Sequence, residues 1–130
     1  MTPDEFDRVV ERAFARIPAR FRKQLANVAL VVEQEPSPRQ LAEAGTGRVS
    51  TLLGLYQGRP LTTRSVFQNF AMPDRILIFQ GPHERLARSP QDLEQLVTDT
   101  VWHEVAHYFG MDERRVRAAE RRRRRSPAQW

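Results

Sequence analysis

Two histidines and a glutamate form the pattern His103-Glu104-Val105-Ala106-His107. In an α-helix, side chains four residues apart lie on the same face, so His103 and His107 could bind one metal ion, each through a ring nitrogen about 2 Å from it. Glu104 is rotated away from that pair, which is the placement expected of a general base that holds a water molecule. The pattern therefore predicts hydrolysis by a metal-activated water.

The residues after the motif strengthen this interpretation. Gly110 follows His107 by three residues, and the carboxylates Asp112 and Glu113 come next, so a third ligand is available nearby. The chain has no cysteine, so histidines and carboxylates must supply every protein ligand. The alternative is that the two histidines are ordinary surface or core residues of a helix.

A long helix is predicted to carry the motif. Ser89-Pro90-Gln91-Asp92 is typical of a helix start, and apolar residues then recur at helical spacing up to Gly110. Glycine adopts a positive φ without steric strain, so Gly110 is predicted to end the helix in a left-handed conformation.

The chain before this helix predicts a first helix and three strands. Thr2-Pro3-Asp4-Glu5 is typical of a capping box, and the apolar spacing after it predicts a helix up to Pro18. Apolar runs predict strands at 28–32, 52–57 and 75–80, of which the first should be buried on both faces. Gly81-Pro82 is expected to close the third strand, and residues 61–73 are expected to be irregular.

These elements predict an α+β fold. We expect the N-terminal helix and the motif-bearing helix to pack on one face of a small mixed sheet of three to four strands. A length of 130 residues suits a single domain, which we place at 1–113. A short exposed strand edge could also pair two copies of the chain as a homodimer.

The positive charge is concentrated after this domain. Eight arginines and one glutamate lie in residues 114–130, so the preceding residues are slightly acidic although the whole chain carries +5. We expect a polar helix at 112–125 in a basic tail that is mainly solvated. Binding of this tail to nucleic acid or to anionic lipid is a less favoured alternative.

Two features of the sequence indicate where in the cell the protein is expected. The chain contains no run of 18 apolar residues, and its start lacks the basic and apolar regions of a signal peptide. We therefore expect a cytoplasmic protein that does not enter a membrane.

The stretch from His103 to Glu113 resembles the zincin signature, in which a His-Glu-x-x-His helix is followed by glycine and then by a third ligand. It looks in particular like the very small, one-domain bacterial zincin-like metallopeptidases. Residues 52–56 and 73–79, followed by Gly81-Pro82, are similar to strands of that family. The resemblance spans most of residues 3–113.

The resemblance implies a zincin-like fold and a zinc ion held by His103, His107 and Glu113. The family usually has aspartate where Glu113 stands, so Asp112 is a competing ligand, and Glu120 is a weaker candidate by analogy with zincins that use glutamate. Larger relatives also place a methionine turn after the third ligand, whereas this chain has no methionine after Met111.

The resemblance also implies that the chain cleaves peptide bonds in a peptide or unfolded polypeptide. Glu104 would take the proton of the water and return it to the leaving amine. The substrate would add as a strand to the sheet edge, which we expect at residues 75–80. Tyr56, Tyr108 and His83 are candidate donors to the oxyanion, although His83 is expected to face solvent.

Two other functions are compatible with the same residues. A metal-dependent hydrolase could act on RNA that the arginine-rich tail binds. A folded domain could also have kept the motif without catalysis, as a relic with an empty or merely structural site.

Overall fold

A computed structural model describes residues 1–45, 52–58 and 74–110. The predicted irregular segment at 61–73, the helix at 112–125, and the carboxylates Asp112, Glu113 and Glu120 lie outside the described residues. Within those residues the elements follow in chain order as α1 (Pro3–Ala15), α2 (Ala19–Arg22), a 3-10 turn (Lys23–Leu25), β1 (Val28–Glu33), α3 (Pro38–Glu43), β2 (Gly54–Gln57), β3 (Asp74–Phe79), α4 (Gln80–Leu86) and α5 (Pro90–Tyr108).

The two longest described helices start and end close to where the sequence predicts. The Thr2 hydroxyl accepts the Glu5 N–H at 3.1 Å at the start of α1, and the Ser89 hydroxyl accepts the Asp92 N–H at 3.0 Å at the start of α5. These bonds satisfy N–H groups that have no partner within the helix. Gly110 has a φ of 77°, so the predicted left-handed end of α5 is confirmed.

The sheet is mixed, as predicted, but its strand order differs from expectation. The order is β1-β3-β2, with β1 parallel and β2 antiparallel to β3. The prediction that residues 75–80 form an edge was therefore wrong, because β3 is the central strand. The prediction that the first strand is buried on both faces was also wrong, since every residue of β1 is at least partly exposed. An apolar run predicts a strand, but its neighbours depend on pairing between distant segments.

The two faces of the sheet are covered by different helices. On one face, Ile76 and Ile78 share a cluster with buried side chains of α1 and α5, including Phe6, Val97 and Val101. On the other face, Leu77 and Phe79 pack with Leu55 and with residues of and near α3. Alternation along β3 produces this division, since successive side chains point to opposite faces. The expected packing of α1 and α5 on one sheet face is confirmed.

Strand β3 runs straight into helix α4, so the expected loop at Gly81-Pro82 is instead the first turn of a helix. The Gly81 N–H donates to the Gln34 carbonyl at 2.8 Å, which ties the start of α4 to the chain just after β1. A Cβ at position 81 would lie 2.9 Å from the Gln34 carbonyl oxygen, which is backbone and cannot easily move, and 1.8 Å from Oε2 of the Glu35 side chain. Gly81 is therefore needed for this close approach rather than for a turn.

Gly54 at the start of β2 packs its backbone directly against α5. A Cβ at this position would lie 2.7 Å from Cγ2 of Thr100 and 3.3 Å from Cγ of Glu104. It would also lie 3.1 Å from the carbonyl oxygen of Leu77 on the neighbouring strand. A glycine inside a strand often marks such an approach of backbone to another element.

We predict that Gly54→Ala lowers the free energy of unfolding by about 1–3 kcal/mol, because an added methyl group overpacks this contact. Urea denaturation measures the change. Thr100→Ser removes Cγ2 and keeps the hydroxyl, so the same alanine substitution should be less harmful in a Thr100→Ser background. An equal loss of stability in both backgrounds would show that Cγ2 of Thr100 is not the obstacle.

Candidate metal centre

Helix α5 brings His103 and His107 together as the sequence predicts. Their ring centroids are 4.5 Å apart and their ring planes meet at 73°. Both side chains are partly exposed, so an ion from solvent can reach them. With Glu104, they offer three ligand atoms that all lie within 4.8 Å of one another.

Glu104 lies on the buried side of this cluster. The residue is 6% exposed, and its Oε1 lies 3.3 Å from Nδ1 of His107. Its Cγ borders Gly54 of β2, so the strand backbone limits where the carboxylate can move. The helix thus presents two half-exposed imidazoles beside one buried carboxylate. The carboxylate is close enough to act on a molecule bound by the imidazoles.

The donor set fits a zinc ion. Zinc takes imidazole nitrogens at about 2.0–2.1 Å and carboxylate oxygens at about 2.0–2.2 Å, commonly from two histidines and one carboxylate in catalytic sites. His103 and His107 could supply the two nitrogens, since they lie one turn apart on the same helix. The candidate third ligand, Glu113, lies outside the described residues together with Asp112 and Glu120.

The three candidate oxyanion donors each contact another group. The Tyr56 hydroxyl donates to Oδ2 of the buried Asp74 at 2.7 Å. The Tyr108 hydroxyl donates to the Gln24 carbonyl at 3.3 Å, and its ring packs edge-on against Tyr56 at 5.9 Å. These contacts connect β2, β3, the end of α5 and the 3-10 turn.

His83 is fully buried, so the expectation that it faces solvent was wrong. Its Nδ1 lies 2.7 Å from the Phe79 carbonyl, and its Nε2 lies 2.9 Å from the Thr100 hydroxyl. A carbonyl only accepts, so Nδ1 of the neutral ring carries the proton and Nε2 is an acceptor. The Thr100 hydroxyl has one proton for two neighbouring acceptors, Nε2 of His83 and the Leu96 carbonyl at 2.9 Å. Because the ring is inaccessible to a substrate, His83 cannot donate to an oxyanion.

Burial lowers the pKa of His83, and the hydrogen bond to the Phe79 carbonyl opposes this only in part. The sequence offered no sign of this role, since a histidine after Gly-Pro is typical of a loop. His83 is buried because β3 passes directly into α4, which directs the His83 side chain toward α5. No signal in the sequence singles out Thr100, which links His83 to the helical turn before Glu104.

Helix, sheet and histidine pair together define a protein of the zincin class. The family model of the zincin-like metallopeptidases matches residues 25–123, about three quarters of the chain. The chain therefore belongs to the zincin-like metallopeptidase family. This family implies a metal ion, typically zinc, and suggests a hydrolase. No described helix has both the length and the apolar character needed to cross a membrane.

A solved structure supports the same fold. The chain is similar to a conserved hypothetical protein from Thermus thermophilus, with 27% sequence identity and a TM-score of 0.57. The likeness covers 84% of this chain and 94% of that chain. No curated protein matches the sequence. This chain and the Thermus thermophilus protein therefore share a small α+β fold over most of their lengths.

We predict that acid destabilises the protein partly through His83. Its folded pKa is lowered from the usual 6.5 by burial, so the unfolded chain binds this proton first as the pH falls. The contribution of neutral His83 to the free energy of unfolding is complete above pH 6.5. It is lost as the pH falls from 6.5 toward the pKa of His83 in the folded protein.

The test compares urea unfolding of the parent and of His83→Gln between about pH 7 and about pH 5. Glutamine does not titrate, so the variant should show a shallower pH dependence, by up to about 1.4 kcal/mol per pH unit. Parallel stability curves for the two proteins would contradict the prediction.

Proposed function

We propose that this protein is a zinc-dependent peptidase in which Glu104 is the general base. The observation that carries the proposal is the convergence of His103, Glu104 and His107, whose ligand atoms lie within 4.8 Å of one another on helix α5. Membership of the zincin-like metallopeptidase family supports the same reaction class.

The roles of the three residues follow from their positions. His103 and His107 would hold the metal through ring nitrogens. A bound zinc ion would supply Lewis acidity and lower the pKa of a water molecule to about 7. Glu104 would accept a proton from water and pass it to the amine that leaves. Its burial against Gly54 limits the positions that the carboxylate can take, which favours proton transfer in one geometry.

The third ligand in this proposal is Glu113. It stands six residues after His107, beyond the glycine that ends α5 with a φ of 77°. Such an end turns the chain sharply, so a carboxylate a few residues later can return to the face that carries the histidines. Asp112 and Glu120 are the alternatives at this position.

We predict that Glu104→Gln abolishes cleavage of an unfolded polypeptide while zinc remains bound. The amide keeps the shape of the side chain but cannot accept the proton, and loss of a general base commonly lowers the rate about 100-fold or more. Cleavage of intact, unfolded casein measures activity, and metal analysis of the purified protein measures zinc.

Ligand variants complete this experiment. His107→Ala should lose both zinc and activity, and Glu113→Ala should lose zinc as well. Retention of zinc in Glu113→Ala would move the third ligand to Asp112 or Glu120. A parent that binds zinc but cleaves no peptide would contradict the peptidase and favour a non-catalytic domain.

We infer further that a peptide substrate adds to the sheet beside β2. Among the described strands, β2 has β3 as its neighbour on one side only. Gly54 brings this strand against Glu104, so a peptide on its outer side would pass close to the carboxylate. Edge pairing uses backbone hydrogen bonds, which explains how unfolded polypeptides of many sequences could bind.

Substrate peptides with methylated backbone nitrogens test this binding mode. In a β-sheet, every second residue of a strand directs its backbone N–H toward the same neighbouring strand. Methylation of the alternate set that faces β2 should therefore reduce kcat/KM by about tenfold or more, since each lost bond contributes about 0.5–1.5 kcal/mol. The same peptide methylated one residue out of register is the control. Equal effects of both methylation patterns would contradict strand addition.

A further inference from the structure

Two buried residues lie on the face of α5 that points away from the sheet. Asp99 is two residues from both Val97 and Val101, about 200° around the helix, so it lies nearly opposite these core side chains. Ala106 follows Val97 by two and a half turns and lies on the same side as Asp99. Asp99 is 8% exposed and Ala106 is 0% exposed. This outer face of α5, defined by Asp99 and Ala106, is therefore covered.

The described elements contact other sides of α5. Helix α1 and strand β3 share a core cluster with it, β2 approaches Thr100, and Phe21 of α2 packs edge-on against Trp102. Ala106 is fully buried, yet it belongs to neither of the apolar clusters that the described residues form. His103, which lies between the two buried residues, stays partly exposed. These contacts leave the cover of the outer face to residues outside 1–45, 52–58 and 74–110.

The segment that fits this face in position and charge is residues 114–125, which we call the arginine-rich segment. Gly110 has a φ of 77°, so the chain turns sharply four residues after Ala106. The way back along α5 to Asp99 is about 16 Å, which residues 111–125 can span even as a helix. The segment carries eight arginines and one glutamate. Arginines beside the outer face would offset the cost of burying the Asp99 carboxylate.

Residues 46–51 and 59–73 also lie outside the described residues, but they carry only one and two arginines. The family model extends to residue 123, so it includes most of the arginine-rich segment as part of the domain. We propose that the arginine-rich segment docks on the outer face of α5, over Ala106 and beside the carboxylate of Asp99. This docking replaces the expectation that the tail is mainly solvated.

Docking has a consequence for the three residues between Gly110 and the arginine-rich segment. Residues 111–113 are then held at both ends, by the sharp turn before them and by the docked segment after them. Glu113, the proposed third ligand, belongs to this short stretch, so docking restricts where its carboxylate can lie. This consequence rests on the proposed function, whereas the docking itself requires neither zinc nor catalysis.

The test uses single cysteines in the full chain, which contains no cysteine of its own. Ala106→Cys places a thiol beneath the proposed cover, and Val101→Cys places one in the core. Gln95→Cys is the exposed control on the same side of α5, farther from Gly110. A chromogenic disulfide reagent measures thiol reactivity with a chelator present. We expect the thiols of Ala106→Cys and Val101→Cys to react at least about tenfold more slowly than that of Gln95→Cys.

The same cysteines are then compared in full chains in which all eight arginines of 114–125 are replaced by glutamate. Repulsion from Asp99 should release the segment, so the Ala106→Cys thiol should react at least about tenfold faster, while the Val101→Cys thiol stays protected. Equal protection of the Ala106→Cys thiol in both backgrounds would overturn the proposal, because another segment would then be the cover. Protection that increases with protein concentration would overturn it as well, since a second copy of the chain would then cover the face.

Trypsin digestion tests the unmodified chain and does not depend on any substitution. Trypsin cleaves after arginine, and a docked segment is cleaved only in proportion to the population of its open form. The bonds after the arginines of 114–123 should be cleaved at least about tenfold more slowly in the full chain than in a synthetic peptide of residues 111–130. Equal rates would indicate a solvated tail and overturn the proposal. Because neither readout involves zinc or peptidase activity, failure of the proposed function would leave both results unchanged.

Discussion

The close approach of strand β2 to helix α5 at Gly54 is the contact on which the site depends. Only hydrogen occupies the space where a side chain would meet Thr100, Glu104 and the Leu77 carbonyl. This approach buries the Glu104 carboxylate on one side of the helix while the two histidines stay half exposed on another. One turn of helix therefore presents groups in two environments, which suits a base that acts beside a metal open to solvent.

The central strand β3 makes that contact stable. Its side chains alternate between a cluster with α1 and α5 on one face and a cluster near α3 on the other, so it is anchored from both sides. β2 pairs with β3 in an antiparallel register that places Gly54 opposite Ile78. Five of the six residues of β3 are buried. A strand paired with such a neighbour can hold the helix that packs on it at a fixed distance, so the position of a functional group on that helix is also fixed.

Buried polar pairs add specificity at the junction of sheet and helix. His83 joins the end of β3 to Thr100 on α5, and Tyr56 joins β2 to Asp74 on β3. Each pair satisfies groups that would be expensive to bury alone, and each has the right geometry in one arrangement of the elements. Apolar packing determines that these elements associate, and the polar pairs restrict the way in which they do so.

Local patterns in the sequence were enough to predict α1 and α5 with their caps. They also predicted the left-handed conformation of Gly110 and the approach of His103 to His107 on one helix face. Each of these depends on residues a few positions apart within one segment, so periodicity and capping chemistry encode it. Strand order, the burial of His83 and the partner of Gly54 were decided only by the tertiary structure. They depend on contacts between segments tens of residues apart, and the same apolar run can serve as an edge or as a central strand until its neighbours are known.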